Sequence, residues 1–402
     1  MKLVLATGNE NKVEEIRHAL QGLPIKILGF RDFPTFPSPE ETGVTLLENA
    51  LIKARAVARF SQILSLADDT GLHVDALAGA PGVYSSRFAG PGASYEDNWR
   101  KLLTSMEGLT REKRTAVFTT VAAFVRNDGK QLTVEGRCPG FITDAPRGTG
   151  GFGYDPVFEP AGTGKTFAEL SLDVKNSISH RADALRKARK ALEFLLISEG
   201  KYLVGITGNI GCGKSTVAQY LSSIGYKVLN ADSIGHAVLE RPDVCRQIVQ
   251  VFGREILTAK HSIDRNRLRE ALCQRPPLVS RLTSITHPLI QSAIAEEIQL
   301  TSQRIIFVEA ALIFESSWDF FFTETVLLTC SRALQTKRVL ARARMDALQL
   351  SALLSTQLPQ EKAVPRADYI ISNNESLELL RDQVDSVLES IRRKALHSTP
   401  DQ

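Results

Sequence analysis

The strongest chemical signal in the sequence is a glycine-rich segment that ends in lysine and serine. Residues 208–215 read Gly-Asn-Ile-Gly-Cys-Gly-Lys-Ser and fit the pattern G-x-x-x-x-G-K-[ST] at every position. This pattern predicts a loop whose backbone N–H groups surround phosphate, with Lys214 on the β and γ phosphates and the Ser215 hydroxyl on Mg²⁺. An apolar run at 202–207 predicts the strand that must precede such a loop, and a helix is predicted after it. The residues expected to contact ATP are Gly208, Gly211, Cys212, Gly213, Lys214, Ser215 and Thr216.

An acidic residue shortly after this loop is a candidate catalytic base. A second strand is predicted at 227–229 and leads into Asn230-Ala231-Asp232. Ligands of open α/β sheets bind at the carboxyl ends of the strands, so Asp232 is expected to face the ligand and to accept a proton from a substrate hydroxyl. A helix-capping aspartate is the alternative interpretation.

The first half of the chain contains a second phosphate-binding turn and a group of acids. Thr7-Gly8-Asn9 follows an apolar run at 2–6, and Lys12 lies one turn into the predicted helix, which together favour anion binding. Acidic pairs follow at Glu40-Glu41 and at Asp68-Asp69, where a predicted strand at 63–66 ends. Neighbouring carboxylates repel each other unless a cation or a proton separates them, and oxygen ligands suit Mg²⁺. We therefore expect a magnesium site, with a solvated acidic turn as the alternative.

Aromatic and basic residues later in this half could bind a base. The segment 150–156 reads Gly-Gly-Phe-Gly-Tyr-Asp-Pro, and its rings could stack on a base or form a turn at the edge of the core. Lys175 and the pair His180-Arg181 open the last predicted helix, where they could reach a base edge or a phosphate.

The length and the repeated pattern indicate two domains. A chain of 402 residues is too long for one ordinary core, and strand–glycine turn–helix openings occur twice, about 200 residues apart. An amphipathic helix at 179–199 is predicted to close the first domain, so the expected domains are 1–198 and 202–395.

The composition narrows the function classes. A net charge of +4 without a basic run interleaved with aromatics argues against nucleic-acid binding. Five cysteines without a C-x-x-C spacing predict reduced thiols in a cytoplasmic protein. The apolar stretch at 305–322 is interrupted by acids, so no membrane segment is expected.

Taken in order, residues 202–392 resemble the dephospho-coenzyme A kinase family. The matching segments are 205–216, Asn-Ala-Asp at 230–232, His-Pro-Leu-Ile at 287–290, 307–315, Gln357, 367–371 and Asn373. The resemblance implies transfer of the ATP γ-phosphate to the ribose 3′-hydroxyl of dephospho-CoA, with Asp232 as base. Lid arginines would steady the phosphoryl group, and Arg338 and Arg342 are the candidates because they share a helix face; solvated helix charges are the alternative.

Three positions depart from the pattern of that family. Ala343 stands where an aspartate usually follows the second lid arginine, and Asn230 stands where an aspartate is common. Ala311-Leu312-Ile313 replaces the usual Pro-Leu-Leu. These departures affect the expected lid geometry more than the reaction type.

Residues 1–197 resemble the inosine triphosphate pyrophosphatase family. The matching motifs are T-G-N-x-x-K at 7–12, E-E-T-G at 40–43, E-N-A-x-x-K-A at 48–54, A-D-D-T-G-L at 67–72, G-A-P-G-V-Y-S at 79–85, G-G-F-G-Y-D-P at 150–156 and S-H-R at 179–181. The resemblance implies hydrolysis of dITP, ITP and XTP to the monophosphate and pyrophosphate, and a tendency to form dimers.

The same resemblance assigns roles to individual residues. Glu40 or Glu41 and Asp69 would hold Mg²⁺, Asp69 would activate water, and Asp68 would support it. The residues that would bind the purine nucleotide are Thr7, Gly8, Asn9, Lys12, Lys53, Thr70, Phe152, Gly153, Tyr154, Asp155, Lys175, His180 and Arg181.

The two resemblances predict a mixed-sheet α/β domain followed by a P-loop domain with three αβα layers, joined as a bifunctional enzyme. Two alternatives remain open at this stage. The kinase could act on a nucleoside or nucleotide, or one half could be a non-catalytic dimerisation module. The intact Lys214, Ser215, Asp232 and Asp68-Asp69 argue against the second alternative.

Overall fold

The computed structural model describes residues 1–275, 277–342, 354 and 357–397. The chain divides into two compact units, Met1–Glu193 and Phe194–Gln402. This division falls inside the last helix of the first unit, and the expected domain boundaries at 198 and 202 stay predictions. In the part of the chain that is described, no helix is long and apolar enough to cross a membrane.

The N-terminal unit is built on a mixed seven-stranded sheet, which confirms the predicted fold class. The strands are β1 (Lys2–Leu5), β2 (Lys26–Leu28), β3 (Ser65–Val74), β4 (Pro81–Gly82), β5 (Thr115–Val125), β6 (Gln131–Ile142) and β7 (Phe158–Pro160). Their order is β2-β1-β3-β5-β6-β7, with β4 paired to β3. The pairs β1–β2 and β1–β3 are parallel, and the remaining pairs are antiparallel.

The helices of this unit are α1 (Glu10–Ala19), α2 (Leu46–Ser61), α3 (Tyr95–Ser105), α4 (Leu172–Ile178) and α5 (His180–Ile197). Helix α2 buries alanines at helical spacing, including Ala50 and Ala54, and these pack with Ala67, Val121 and other strand residues. A capping box between Thr45 and Glu48 fixes its start. Helix α2 therefore lies tightly on the sheet, and its Lys53 is held beside strand β3.

The pair Asp68-Asp69 lies in the middle of strand β3, so the prediction that it closes a strand was wrong. Strand β3 continues to Val74 because it pairs with β5 from Ser65 to Val74. Successive side chains of a strand point to opposite faces. Asp69 therefore lies on the face of α2 and Asp68 on the other, which gives two adjacent acids different surroundings.

The C-terminal unit contains a five-stranded sheet in which every strand pair is parallel. The strands are β8 (Tyr202–Thr207), β9 (Lys227–Asn230), β10 (Ile305–Glu309), β11 (Glu324–Thr329) and β12 (Tyr369–Ser372), in the order β12-β11-β8-β10-β9. The central strand β8 is buried along its whole length, as expected for a strand covered on both faces.

The helices of this unit are α6 (Lys214–Ser223), α7 (Ala231–Glu240), α8 (Pro242–Phe252), α9 (Arg265–Gln274), α10 (Leu278–Leu300), α11 (Arg332–Arg342), α12 (Gln360–Ala363) and α13 (Leu377–His397). On one face of the sheet, Val204 and Ile206 pack in a single cluster with Leu221 of α6 and Leu388 of α13. The glycine-rich loop joins β8 to α6, which begins at Lys214, so the predicted order of strand, loop and helix is confirmed.

Candidate active sites

A cavity of about 320 Å³ in the N-terminal unit is lined by nearly all residues that were predicted to bind a purine nucleotide and Mg²⁺. The predicted residues that line it are Thr7, Gly8, Asn9, Lys12, Glu41, Lys53, Asp69, Thr70, Phe152, Gly153, Tyr154, Asp155, Lys175, His180 and Arg181. Glu40 is exposed and does not line the cavity, and Asp68 is buried behind two lining residues. The structure thus brings together segments that are up to 174 positions apart in the sequence.

Asp68 is a buried carboxylate with two cationic partners. Its Oδ2 atom lies 3.0 Å from Lys12 Nζ and 3.2 Å from Arg181 Nε. Burial by itself would raise the pKa of Asp68, but Lys12, Arg181 and Lys53 outweigh burial and hold the pKa well below its usual range. Asp68 is therefore firmly ionised and organises the cations around it.

Asp69 has the opposite electrostatic character. Its Oδ1 atom accepts a hydrogen bond of 2.9 Å from Lys53 Nζ, which also lies 3.3 Å from Glu41 Oε1. Burial raises the pKa of Asp69, and Lys53 offsets only part of this effect. Adjacent carboxyl groups whose pKa values are driven apart are typical of acid–base sites. Of the two acids, Asp69 is the one suited to exchange a proton.

The other end of the cavity combines aromatic rings with buried cations. Lys175 Nζ lies 2.7 Å from Asp155 Oδ2, which also accepts a hydrogen bond from the Phe152 backbone N–H. The ammonium group lies 4.9 Å from the centre of the Phe152 ring, within cation–π range. This end can thus offer an aromatic face and a hydrogen-bond donor to the same ligand.

His180 is a neutral imidazole at this end of the cavity. Its ring stacks on Phe118 at 4.4 Å, and burial, followed by the charges of Arg181 and Lys175, lowers its pKa well below the usual value. Its Nδ1 atom is buried and has no hydrogen-bond partner in the described structure. The start of α5 lies directly on strand β6, where a Cβ atom at Gly136 would come within 2.1 Å of the His180 carbonyl oxygen. Only glycine permits this approach, which places His180 and Arg181 in the site.

In the C-terminal unit, the predicted P-loop surrounds a small polar network. Lys214 Nζ donates to the Gly208 carbonyl at 2.7 Å, and Ser215 Oγ donates to Glu309 Oε1 at 2.8 Å. Burial lowers the pKa of Lys214, although Asp232 and Glu309 act in the opposite direction. Lys214 is therefore influenced by both Asp232 and Glu309, and Ser215 contacts Glu309 at the end of β10.

Asp232 lies in the first turn of α7 and is exposed. The N-cap of this helix is Asn230, whose Oδ1 accepts a hydrogen bond from the Ser233 backbone N–H at 2.7 Å. The capping role considered for Asp232 therefore belongs to Asn230.

Asn373, which follows β12, holds the P-loop from the side opposite Glu309. Its Nδ2 donates to the Cys212 carbonyl at 2.8 Å, and a Cβ atom at Gly213 would meet this same Nδ2 at 2.2 Å. Arg338 donates to the Asn373 carbonyl at 2.9 Å, so this predicted lid arginine is anchored beside the P-loop. The side chain of Arg342 and the residue Ala343 lie outside the part of the chain that is described.

The rest of the P-loop is held by side chains from later in the chain. The backbone N–H of Ile210 donates to Gln357 Oε1 at 3.0 Å, and its carbonyl accepts from Gln335 Nε2 at 2.8 Å. The thiols of Cys212 and Cys330 are 3.3 Å apart and buried, and neither forms a disulfide. The loop is thus fixed by contacts before any ligand is considered.

Comparison with known proteins assigns each unit to a family. Residues 3–191 match the model of the Ham1 family, and residues 202–378 match that of dephospho-CoA kinase. A relative from Thermoanaerobacter sp. (strain X514), named dITP/XTP pyrophosphatase, is 51% identical over 189 residues, which is 47% of this chain and 95% of the relative. The chain belongs to the Ham1 family. Its C-terminal unit is a dephospho-CoA kinase domain, and the chain therefore combines a hydrolase family with a kinase family, as predicted.

Two solved structures are similar to the separate units. A HAM1 protein from Coxiella burnetii is 40% identical, with 48% of this chain and 98% of that chain covered and a TM-score of 0.46. A dephospho-CoA kinase from Campylobacter jejuni is 28% identical, with 48% and 98% covered and a TM-score of 0.38.

The structure adds residues to both sites that the sequence did not reveal. In the Ham1 domain, Glu15 lies 2.5 Å from Arg181 and 3.4 Å from Lys175, and Phe118 and Tyr95 line the cavity. In the kinase domain, Glu309 contacts Ser215. Glu309 could have been found from the sequence, because it is an acid at the end of the apolar run 305–309. Glu15, Phe118 and Tyr95 lie within ordinary helix and strand patterns, which carry no such signal.

Proposed function

We propose that the Ham1 domain hydrolyses dITP, ITP and XTP to the monophosphate and pyrophosphate, and that the kinase domain phosphorylates the ribose 3′-hydroxyl of dephospho-CoA with ATP. The observation that carries the first activity is that one cavity joins a phosphate-binding turn and an acid of raised pKa to an aromatic end with buried cations. The relative named dITP/XTP pyrophosphatase supports the same substrate class.

In the hydrolysis, Asp69 takes a proton from the water that attacks the α-phosphorus. The raised pKa of Asp69 makes it a better proton acceptor than an ordinary carboxylate. Lys12 and Lys53 neutralise negative charge on the phosphates as the bond between the α-phosphorus and the bridging oxygen breaks and pyrophosphate leaves. Asp68 keeps Lys12 and Arg181 in place and takes no part in proton transfer.

The residues present fit Mg²⁺ in both domains. In the described residues no three acid, histidine or cysteine side chains form a metal cluster, but Mg²⁺ usually binds one or two carboxylates and completes its shell with waters and substrate phosphates. Glu41 and Asp69 share Lys53 in the Ham1 domain, and Ser215 and Glu309 adjoin in the kinase domain. Glu41 is a better candidate than Glu40 because it lines the cavity. When bound, Mg²⁺ would supply charge neutralisation at the transferred phosphate.

Selection of a 6-oxo purine follows from the donors at the aromatic end. Lys175 and Arg181 can donate to the 6-oxo group, and the neutral His180 lines the same end of the cavity. The 6-amino group of adenine would face these donors and leave buried polar groups unpaired, which is a strong source of rejection.

In the kinase domain, Asp232 accepts the proton of the acceptor hydroxyl as it attacks the γ-phosphorus of ATP. Lys214 and the backbone N–H groups of the P-loop bind the β and γ phosphates. The contact of Asn373 with the Cys212 carbonyl keeps the loop in the open cradle that this binding requires.

The test is to assay the purified chain with two substrate panels. Pyrophosphate release is measured with dITP, ITP, XTP, dATP and dGTP, and ADP formation is measured with ATP and dephospho-CoA, a nucleoside or a nucleotide. We expect pyrophosphate release from dITP, ITP and XTP, which carry the 6-oxo group, and ADP formation with dephospho-CoA. ADP formation with a nucleoside alone would favour the other acceptor class, and an inactive half would favour a non-catalytic module.

A further inference from the structure

Tyr95 connects the two ends of the Ham1 cavity. Tyr95 is 47% exposed, although it lines the cavity. Its hydroxyl lies 3.4 Å from Asn9 Nδ2, in the phosphate-binding turn, and its ring centre lies 6.0 Å from that of Phe152 at the aromatic end, with the planes inclined by 46°. A single partly exposed side chain therefore spans the opening through which a nucleotide would enter.

The backbone of Tyr95 is firmly held, while its side chain is not. Tyr95 is the first residue of α3, whose start is fixed by a capping box between Ser94 and Asp97. The buried Asn98 donates to the Ser86 carbonyl at 3.1 Å and accepts from the Ala89 backbone N–H at 2.8 Å. The helix is thus attached to the segment that carries Ser86, another residue that lines the cavity. The ring of Tyr95 can therefore change position by rotation about its two side-chain torsions without movement of the helix backbone.

The separation of the two rings is close to what a base requires. A flat base held between two aromatic rings needs them about 7 Å apart, which is twice the carbon–carbon contact distance of roughly 3.5 Å. The observed distance is 6.0 Å with the planes inclined by 46°, so the Tyr95 ring must move away by about 1 Å and rotate toward the parallel orientation to admit a base. The hydrogen bond that Tyr95 would give up is long at 3.4 Å and is therefore weak.

We propose that Tyr95 is a substrate-binding residue whose ring packs on the bound nucleoside opposite Phe152. This inference rests on the proposed pyrophosphatase function and adds one substrate contact to it. The ring contributes to affinity in the ground state and the transition state alike, so its loss raises KM and leaves kcat unchanged. An aromatic contact of this kind is worth about a tenfold change in affinity.

The test compares Tyr95→Ala, Tyr95→Phe and a matched control, Tyr84→Ala. Tyr84 is a similarly exposed tyrosine, at 52%, that does not line the cavity. We measure kcat and KM for dITP hydrolysis and the Kd of the product dIMP by titration calorimetry. The expected result is an approximately tenfold increase in KM and in Kd for Tyr95→Ala, with kcat within about twofold. Tyr95→Phe and Tyr84→Ala should behave as the unaltered chain.

Three results would overturn the inference. One is an unchanged KM and Kd in Tyr95→Ala, and another is a fall in kcat alone. The third is a Tyr95→Phe variant as impaired as Tyr95→Ala, which would assign the effect to the hydroxyl. Failure of the unaltered chain to hydrolyse dITP would instead refute the proposed function, and with it this inference. Thermal unfolding of each variant checks that the fold is unchanged, as expected for an exposed side chain.

Discussion

Replacing Asp69 by asparagine is expected to remove dITP hydrolysis without weakening the fold. The amide has the same shape but cannot take a proton from water, and loss of a general base costs about 10²- to 10⁴-fold in rate. In this variant, Lys53 Nζ would keep its ion pair with Glu41 at 3.3 Å and its hydrogen bond to the Asp68 carbonyl at 2.9 Å. No buried ammonium is left unpaired, so the free energy of unfolding should change by about 1 kcal/mol or less.

The same replacement at the adjacent Asp68 is expected to act mainly on stability. Lys12 and Arg181 both contact Asp68 Oδ2, and the side chain of Asp68 is 1% exposed. Breaking a buried ion pair costs about 3–5 kcal/mol, and the amide oxygen of asparagine retains a weaker acceptor, so about 3 kcal/mol is expected. For a unit of the size of Met1–Glu193, this lowers Tm by roughly 6–12 °C.

Pyrophosphate release and calorimetric unfolding of the full chain measure both effects, and ADP formation by the kinase domain in the same sample is the control. The two acids also differ in pH dependence. Hydrolysis should fall as the pH drops through the raised pKa of Asp69. The stability contributed by Asp68 is present above its unfolded pKa of about 3.9 and is lost as the pH falls through its depressed folded pKa. Equal loss of stability in the two variants, or full hydrolysis by Asp69→Asn, would refute this reasoning.

Three further results are expected. Lys214→Met should reduce ADP formation by about 10²- to 10³-fold and leave dITP hydrolysis unchanged; a matching loss of both activities would contradict the assignment of Lys214 to the kinase site alone. Asn373→Ala should raise the KM for ATP about fivefold, because the Cys212 carbonyl loses its donor, and an unchanged KM would show that the P-loop holds its shape without it. Burial raises the pKa of Cys212 to about 12 and that of Cys138 to about 11, so iodoacetamide at pH 8 should label the less buried Cys245 before either of them; mass spectrometry showing earlier labelling of Cys212 would contradict this.

Local sequence patterns were sufficient to predict the P-loop and its surroundings. An apolar run, three glycines and a Lys-Ser pair within 14 residues define strand β8, the loop and the start of α6, and they do so without distant contacts. The turn at Thr7-Gly8-Asn9 was predictable for the same reason. Nearly all the residues that were predicted to bind the purine nucleotide and that line the Ham1 cavity lie within the family motifs.

Features that depend on distant pairing could not be predicted in this way. Strand β3 extends past Asp69 because β5, some 50 residues later, pairs along its whole length. Because both acids lie within this paired strand, Asp68 and Asp69 point to opposite faces of the sheet. The pKa of Asp68 is lowered there and that of Asp69 is raised. Likewise, the contact of Asn373 with the Cys212 carbonyl joins residues 161 positions apart. The sequence pattern identified both residues but not their contact.

The asparagine at position 230 is explained by its contact with Glu309. Asn230 Nδ2 donates to Glu309 Oε2 at 2.6 Å while its Oδ1 caps α7, and the other Glu309 oxygen accepts from Ser215. An aspartate could cap the helix but could not donate to Glu309, and the two carboxylates would repel each other. With glutamate at 309, asparagine satisfies both contacts, so this departure from the family pattern avoids placing two repelling acids beside Ser215.

Asn230→Asp should therefore change the pH dependence of the kinase activity. The new carboxylate would face Glu309 where Asn230 now donates a hydrogen bond, and two carboxylates in contact repel each other unless they share a proton. The Mg²⁺ concentration needed for half-maximal ADP formation should then rise more steeply in the variant than in the unaltered chain as the pH is lowered from 8 to 6. Asn230→Ala, which removes the donor without adding charge, is the matched control and should not show the steeper dependence. Identical pH dependence in Asn230→Asp and Asn230→Ala would mean that an acid at position 230 does not act on Glu309 by charge repulsion.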